Sequence, residues 1–134
     1  MSKHLILISH GVFCEALKAS TEMIMGPQDY IHAIPLLPSE GPEDFQQKFE
    51  ALTDGLEEYT VFADLMGGTP CNVASRLLMS GAKSFDLYAG MSMPMVIGFI
   101  NSVLVGQETD LIANTKENIC YVNALLQTDD DDDE

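Results

Sequence analysis

Short apolar runs alternate with segments of helical periodicity along this chain, and that alternation limits the folds open to it. Residues 5–8 are a continuous apolar run, typical of a strand buried on both faces of a parallel sheet. The strand pattern returns at 30–36, 59–63 and 85–89. Strands that alternate with helices build a parallel sheet through right-handed crossovers. We therefore predict a single doubly wound α/β domain, with a mainly parallel sheet of four strands and helices on both faces.

The segments between these strands have the apolar spacing of helices. Phe13, Leu17 and Ile24 mark one face of a first helix, and Gly26 followed by Pro27 ends it. Three further segments show the same periodicity: 45–56, 73–78 and 94–104. Each predicted strand is therefore followed by a helix.

The end of the chain differs from the rest. Apolar side chains recur at helical spacing over residues 112–126, although residues 119–122 could also form a short fifth strand. Residues 129–134 are all acidic, and such a run repels itself and contains nothing to bury. We predict a domain over residues 1–127 and an acidic disordered tail over residues 128–134.

Charge and hydropathy exclude several classes of function. The net charge is −15, whereas nucleic acids and anionic membrane surfaces are bound by clustered Lys and Arg. No apolar stretch approaches the roughly 20 residues that cross a bilayer, and no signal peptide opens the chain. We therefore expect a cytoplasmic protein that binds no nucleic acid and whose natural partner is a basic protein surface.

Several polar and sulfur-containing residues are predicted to be structural. His4 and His32 lie inside strand patterns beside apolar residues. The methionines of segment 91–95 suit packing in the core, or against a partner if they are exposed. The cysteines have neither disulfide nor metal-site spacing, so we expect small buried residues. The three cysteines are Cys14, Cys71 and Cys120.

Two loops hold the residues suited to chemistry. His10 follows the first strand, between Ser9 and Gly11, and Asp64 follows the third. If those strands are neighbours, both loops open into the crevice at the carboxyl ends of the sheet. A carboxylate that holds Nδ1–H of a histidine fixes the tautomer and leaves Nε2 as a nucleophile. We predict His10 and Asp64 as a catalytic pair.

The loop after the third strand also has the composition of an anion site. Gly67 and Gly68 precede Thr69, which has the chemistry of a helix N-cap, and Pro70, which suits the first helical position. Glycines before a helix let backbone amides converge on an anion, and the helix dipole adds partial positive charge. We predict that Gly67, Gly68 and Thr69 bind phosphate.

Three motifs together resemble the IIA components of mannose-type sugar phosphotransferase systems. They are Ser9-His10-Gly11, Asp64 with segment 67–76, and segment 89–95. The Gly-Gly-Thr-Pro-x-Asn-x-Ala pattern is the most specific of them, and the resemblance extends to about Leu126. Met66 departs from the tryptophan often found before the glycine pair, which affects partner contacts rather than chemistry.

The resemblance implies a homodimer in which His10 accepts a phosphoryl group on Nε2 from HPr and gives it to a histidine of the IIB component. Asp64 would orient His10, and Thr69 with nearby amides would hold the phosphate. The IIB component is expected on a separate chain. The protein would contact the membrane only indirectly, through the IIC and IID components. No cofactor and no metal are implied.

Two other kinds of protein use similar residues. A histidine phosphatase also places a nucleophilic His after its first strand, but its motif there is Arg-His-Gly. This chain has Ser9 in place of that arginine. A receiver domain would make Asp64 the phosphoacceptor. It would also need an acidic pair after the first strand to hold magnesium.

Overall fold

A computed structural model describes the backbone of residues 3–132 and the side chains of residues 3–127. The strands are β1 (His4–His10), β2 (Ile31–Leu36), β3 (Tyr59–Ala63) and β4 (Asp86–Ala89). The helices are α1 (Phe13–Met25), α2 (Pro42–Thr53), α3 (Thr69–Met79), α4 (Met93–Val105), α5 (Leu111–Glu117) and α6 (Val122–Asp132). Each predicted strand is present to within one residue at its start, so the alternation of apolar runs located the sheet correctly.

The four strands form one parallel sheet in the order β2-β1-β3-β4. Ile8 of β1 lies opposite Ala63 of β3, and His10 lies opposite Leu36 of β2. The first and third strands are therefore neighbours, as the predicted crevice required. The doubly wound α/β fold is confirmed.

Each face of the sheet carries its own apolar core, which is why residues 5–8 of β1 are all apolar. Leu5 and Leu7 pack in the layer with α1 and α4, while Ile6 and Ile8 pack in the layer with α2 and α3. All four side chains are fully buried. Burial on both faces holds the carboxyl end of β1 rigid, and that end carries His10.

The buried face of α1 differs from the predicted one. Cys14, Leu17 and Thr21 are buried, whereas Phe13 and Ile24 are exposed. Leu17 belongs to both stripes, and the helix is rotated so that Cys14 and Thr21 are buried in place of Phe13 and Ile24. Phe13 instead stands at the start of the helix, beside the loops at the carboxyl edge of the sheet.

The last segment forms two helices, α5 and α6, joined by residues 118–121. The alternative of a fifth strand at 119–122 is wrong within the described part of the chain, where α6 already begins at Val122. That helix continues to Asp132 and enters the acidic run, of which residues 133–134 lie outside the described residues. The division into a domain and a disordered tail at 127/128 stays a prediction.

The sulfur-containing residues fall into two groups. Cys14 and Cys71 are buried as predicted, but Cys120 is exposed because it lies in the connection between α5 and α6. Met91 and Met95 are core residues, so segment 91–95 offers no exposed methionine patch to a partner. Within residues 3–132, no helix combines the length and the hydropathy needed to cross a membrane.

His4 and His32, predicted to be structural, contact each other across β1 and β2. Their rings stack with centroids 5.1 Å apart, and Nδ1 of His4 lies 3.0 Å from Nε2 of His32. One of these two nitrogens must carry the proton that the other accepts. Burial, and then the charges of His4 and Lys18, hold the pKa of His32 below its ordinary value.

This pair makes stability depend on pH. Between the pKa values of His32 in the unfolded and folded chain, the unfolded chain binds more protons, so acidification lowers the free energy of unfolding. We expect a loss of stability from about pH 7.5 to about pH 5.5, above the range where carboxylates titrate. Denaturant unfolding at both pH values measures it. In His32→Phe, which keeps a ring but cannot titrate, the loss should shrink, and an unchanged loss would contradict this assignment.

Candidate functional site

The site lies at the point of the sheet where the order of successive strands reverses. From β1 the chain crosses to β2 on one side, and β3 then pairs with β1 on the other side. In open parallel sheets this switch point leaves a crevice beyond the carboxyl ends of the strands. His10 is the last residue of β1 and Asp64 follows the last residue of β3, so both border the crevice.

Asp64 contacts His10 twice through one oxygen. Oδ2 lies 2.7 Å from Nδ1 of the ring and 2.9 Å from the backbone N of His10. The other oxygen, Oδ1, accepts a hydrogen bond of 2.9 Å from the backbone N of Leu65. Because an ionised carboxylate can only accept, Nδ1 carries the ring proton and the lone pair of the neutral imidazole is on Nε2.

The pair is asymmetric in its exposure. The side chain of Asp64 is 11% exposed and that of His10 is 47% exposed. Burial raises the pKa of Asp64, but the hydrogen bonds from N and Nδ1 of His10 and from N of Leu65 outweigh it, so the pKa lies below its ordinary value. Asp64 is therefore ionised at neutral pH, and the half-exposed ring offers its free edge to the crevice.

Gly68 forms the floor under the His10 ring. A Cβ atom at Gly68 would lie 2.3 Å from Cε1 and 2.9 Å from Nε2 of His10, closer than real Cβ contacts. Only glycine lets the ring lie against this backbone. The sequence assigned Gly68 to phosphate binding and missed this close approach, which a glycine pair beside a catalytic loop could have signalled.

The start of α3 is displaced by one residue from the prediction. Gly68 is the N-cap and Thr69 is the first helical residue, so Pro70 stands at the second position. Thr69 does not cap the helix, and within residues 3–132 no hydrogen bond uses its hydroxyl. The backbone N of Asn72 donates to Gly68 O at 2.8 Å. Pro70 has no N–H, so Thr69 and Cys71 supply the helical amides that this helix start leaves without an intrahelical partner.

Gly67 completes the turn without touching the ring. Its φ of 93° lies in the left-handed region, which favours glycine. Its carbonyl oxygen accepts a long hydrogen bond of 3.4 Å from the side chain of Asn72. The structure thus brings His10, Asp64 and Gly68 into contact, and places Gly67 and Thr69 on either side of Gly68.

Exposed apolar side chains surround the crevice, and the sequence patterns did not identify them as a group. Val12 and Phe13 come from the start of α1, and they are 57% and 48% exposed. Leu65 and Met66 come from the loop after β3, and they are 50% and 85% exposed. We call these four residues the apolar rim. The signal in the sequence was large apolar residues placed in loops rather than in strands.

No cation of the described residues takes part in the contacts of His10 or Asp64. Arg76 is the only arginine of the chain, and it lies seven residues beyond Thr69 on α3, about 10 Å along the helix axis. Lys18 and Lys48 are held in ion pairs with Glu22 and Glu40. An anion at this site would meet neutral donors.

The family model described as the PTS system fructose IIA component matches residues 4–116. The chain belongs to this family. This is the IIA component family of sugar phosphotransferase systems of the mannose/fructose/sorbose type. The match covers all the elements that build the crevice, from β1 through α4.

Curated relatives agree with this assignment. The fructose-specific EIIA component of Bacillus subtilis is 36% identical over 95 residues, which cover 69% of this chain and 64% of that protein. The mannose-specific EIIAB component of Escherichia coli K12 is 28% identical over 72% of this chain but only 31% of its own length. The chain therefore spans about a third to two thirds of these relatives.

Solved structures share the fold over nearly the whole chain. The EIIA component from Streptococcus agalactiae superposes with a TM-score of 0.83 at 25% identity and covers 92% of this chain and 99% of that one. The mannose/sorbose-specific IIA subunit from Enterococcus faecalis has a TM-score of 0.75 at 28% identity, over 90% and 95% of the two chains. Phosphotransferase IIA proteins of known structure thus have this sheet and these helices.

The contact between Gly68 and the ring is testable. In Gly68→Ala, the new methyl group should push the ring off Asp64, because it cannot share the space of Cε1. The ring nitrogen chemical shifts of His10 should then change toward those of a histidine free in solution.

Gly41→Ala is the matched control. Gly41 is also a helix N-cap in extended conformation with a proline in the first helical turn, and a Cβ there would meet nothing within 4 Å. It should leave the His10 shifts as they are in the wild type. Wild-type shifts in Gly68→Ala would show that the ring does not depend on this approach.

Proposed function

We propose that His10 is the phosphoryl carrier of this chain, accepting the group on Nε2 from HPr and passing it to a histidine of a IIB component. The observation that supports this most is the double contact with Asp64, because it occupies Nδ1 and leaves Nε2 free. The side chain of His10 is 47% exposed, so a partner protein can reach the ring.

The proposed reaction is an exchange of one N–P bond for another. The lone pair of His10 Nε2 attacks phosphorus on the donor histidine, the new N–P bond forms, and the donor N–P bond breaks with its electrons returning to the donor ring. His10 then carries positive charge, which the ionised Asp64 at 2.7 Å stabilises while it holds Nδ1–H. Transfer to the next histidine reverses the same steps.

The turn before α3 is proposed to hold the phosphoryl oxygens. Thr69 has a hydroxyl that no described residue uses, and it lies next to Gly68, which touches the His10 ring. The helix start adds unpaired amides and partial positive charge. Gly67 gives the turn its shape. Neutral donors would hold the group loosely, which suits a carrier that must give it away.

The two competing interpretations of the sequence lose support from the geometry. A receiver-type phosphoacceptor needs an accessible carboxylate, but both oxygens of Asp64 accept hydrogen bonds and the side chain is 11% exposed. A histidine phosphatase holds phosphate with arginine, and Arg76 lies about two turns along α3 from the site. Carriage by His10 fits the observed contacts better.

The surface around His10 is proposed to dock both partners in turn. The apolar rim can be buried against HPr or IIB, and the negative net charge of the chain favours basic partner surfaces. The Escherichia coli relative is named an EIIAB component, which supports a IIB unit as the acceptor. We place this exchange in the cytoplasm, with the membrane components acting only downstream.

We also propose that the chain is a homodimer, with a different surface from the one predicted. Segment 91–95 is largely in the core, but five apolar side chains near the C-terminus are more than half exposed. They are Ile119, Tyr121, Val122, Leu125 and Leu126. Sedimentation equilibrium should give the mass of two chains, and Tyr121→Lys with Leu125→Lys should give that of one. A wild-type monomer would contradict the proposal.

The carrier role predicts where label appears. Incubation with phosphoenolpyruvate, the enzyme that phosphorylates HPr, and HPr should attach one phosphoryl group per chain, at His10. The bond should be lost in mild acid and survive base, unlike an acyl phosphate on Asp64, which base cleaves. Mass spectrometry of the intact chain before and after each treatment measures this, and label that persists in His10→Ala would refute it.

The same assay tests Thr69. Thr69→Ala removes a charge-assisted hydrogen bond of about 1.5 to 3 kcal/mol and should slow labelling by roughly 10- to 100-fold, whereas Thr69→Ser should be mild. Because Thr69 does not cap α3, both variants should keep the wild-type melting temperature. Unchanged labelling in Thr69→Ala would remove Thr69 from the site.

Asp64→Asn tests the pair directly. The amide has a single acceptor oxygen and cannot replace all three hydrogen bonds that Asp64 accepts from His10 and Leu65. Where its NH2 group faces His10 it donates to Nδ1, and the ring proton then moves to Nε2, where the phosphoryl group must arrive. Labelling should slow by about 10²- to 10⁴-fold, the scale of the comparable change in hydrolase triads. Labelling rates at several pH values, with ring nitrogen shifts, measure the effect. Wild-type rates together with wild-type shifts would show that the two side chains are not coupled.

A further inference from the structure

Ser9 is a buried polar residue next to His10 that the proposed chemistry does not use. Its side chain is fully buried at the penultimate position of β1, directly after four aliphatic residues. A buried hydroxyl is costly unless it is hydrogen-bonded, so its partners indicate what it does.

The hydroxyl of Ser9 bridges the turn that follows His10. Oγ accepts a hydrogen bond of 2.9 Å from the backbone N of Cys14 and donates one of 3.0 Å to the backbone O of Gly11. The N-cap of α1 is Val12, whose side chain cannot accept a hydrogen bond. Ser9 therefore supplies, from the strand, the acceptor that the first turn of α1 lacks.

We propose that Ser9 is a positioning residue for phosphoryl transfer, which fixes the turn at residues 10–12 and through it the angle at which His10 meets Asp64. This inference rests on the proposed role of His10. Ser9, before His10, belongs to β1 and is held by the sheet. Gly11, after His10, is held by hydrogen bonds at both its N–H and its carbonyl oxygen. The N–H of Gly11 donates to Leu36 O at 2.7 Å, and its carbonyl accepts from Ser9.

The ring has little freedom to absorb a shift of this turn. Gly68 closes one side, since even a methyl group there would overlap Cε1, and Asp64 Oδ2 must reach both N and Nδ1 of His10. In Ser9→Ala the buried amide of Cys14 loses its acceptor and the carbonyl of Gly11 loses its donor. The turn would move to satisfy them, and a displacement of about 1 Å can slow a reaction by about 100-fold.

Thr21 offers a control in the same helix. It is 1% exposed, and its hydroxyl donates to Leu17 O at 2.8 Å, so Thr21→Val removes a buried hydroxyl from α1 with little change of shape. If Ser9 only stabilised α1, the two variants would behave alike. If it positions His10, only the change at Ser9 reaches the site.

The experiment compares the wild type, Ser9→Ala and Thr21→Val by two readouts. The ring nitrogen shifts of His10 are measured on the unphosphorylated chain, and the labelling rate is measured with phosphorylated HPr. Ser9→Ala should shift the ring signals and slow labelling by about 10- to 100-fold. Thr21→Val should match the wild type in both readouts even though its melting temperature falls.

Each outcome has a separate meaning. Wild-type shifts and rates in Ser9→Ala would overturn the inference, and so would equal losses of rate in Ser9→Ala and Thr21→Val. If Ser9→Ala does not fold, Ser9→Cys under reducing conditions replaces it, because a thiol of similar size donates weakly and must give the same changes. A wild-type chain that takes no label refutes the role of His10, whereas the ring shifts still test the positioning by Ser9.

Discussion

The site depends on one carboxylate that holds one residue at two points. Asp64 accepts from both the backbone N and Nδ1 of His10, so the main chain and the ring are fixed relative to the same atom, Oδ2. Two such bonds define the direction of the ring, whereas one would leave it free to swing. The sheet makes this contact possible, because β1 and β3 are parallel neighbours and their carboxyl ends therefore lie at the same edge.

The surroundings of the pair suit transfer rather than hydrolysis. Gly68 lets the ring lie against the start of α3, where helix amides and the hydroxyl of Thr69 can meet phosphoryl oxygens without any added positive side chain. A strongly cationic site would hold a phosphoryl group too tightly to hand it on. The apolar rim can exclude water when a partner docks. Together these features favour a brief, exposed phosphohistidine.

The sequence was sufficient to predict the strands of the sheet and the residues that border the crevice. Apolar runs locate strands buried on both faces. A doubly wound sheet permits but does not require the first and third strands to be neighbours, so the sequence paired His10 with Asp64 only on that condition, which the structure meets. The buried face of α1 could not be predicted, because Phe13 and Cys14 are adjacent in the sequence and either could begin an apolar stripe at helical spacing. Cys14 packs in the core cluster with Leu5, Leu7 and Leu17, whereas Phe13 is exposed. The close approach of Gly68 and the one-residue displacement of Thr69 depend on backbone angles in a turn, which residue types restrict but do not determine.

The site of the phosphoryl bond on the imidazole ring tests the central claim most directly. Long-range proton–nitrogen correlation spectra of the phosphorylated chain distinguish a group on Nε2 from one on Nδ1 and from one on a carboxylate. If Asp64 holds Nδ1–H, the spectra should show the phosphoryl group on Nε2 of His10 and a proton retained on Nδ1. A phosphoryl group on Nδ1, or on Asp64 itself, would contradict the account.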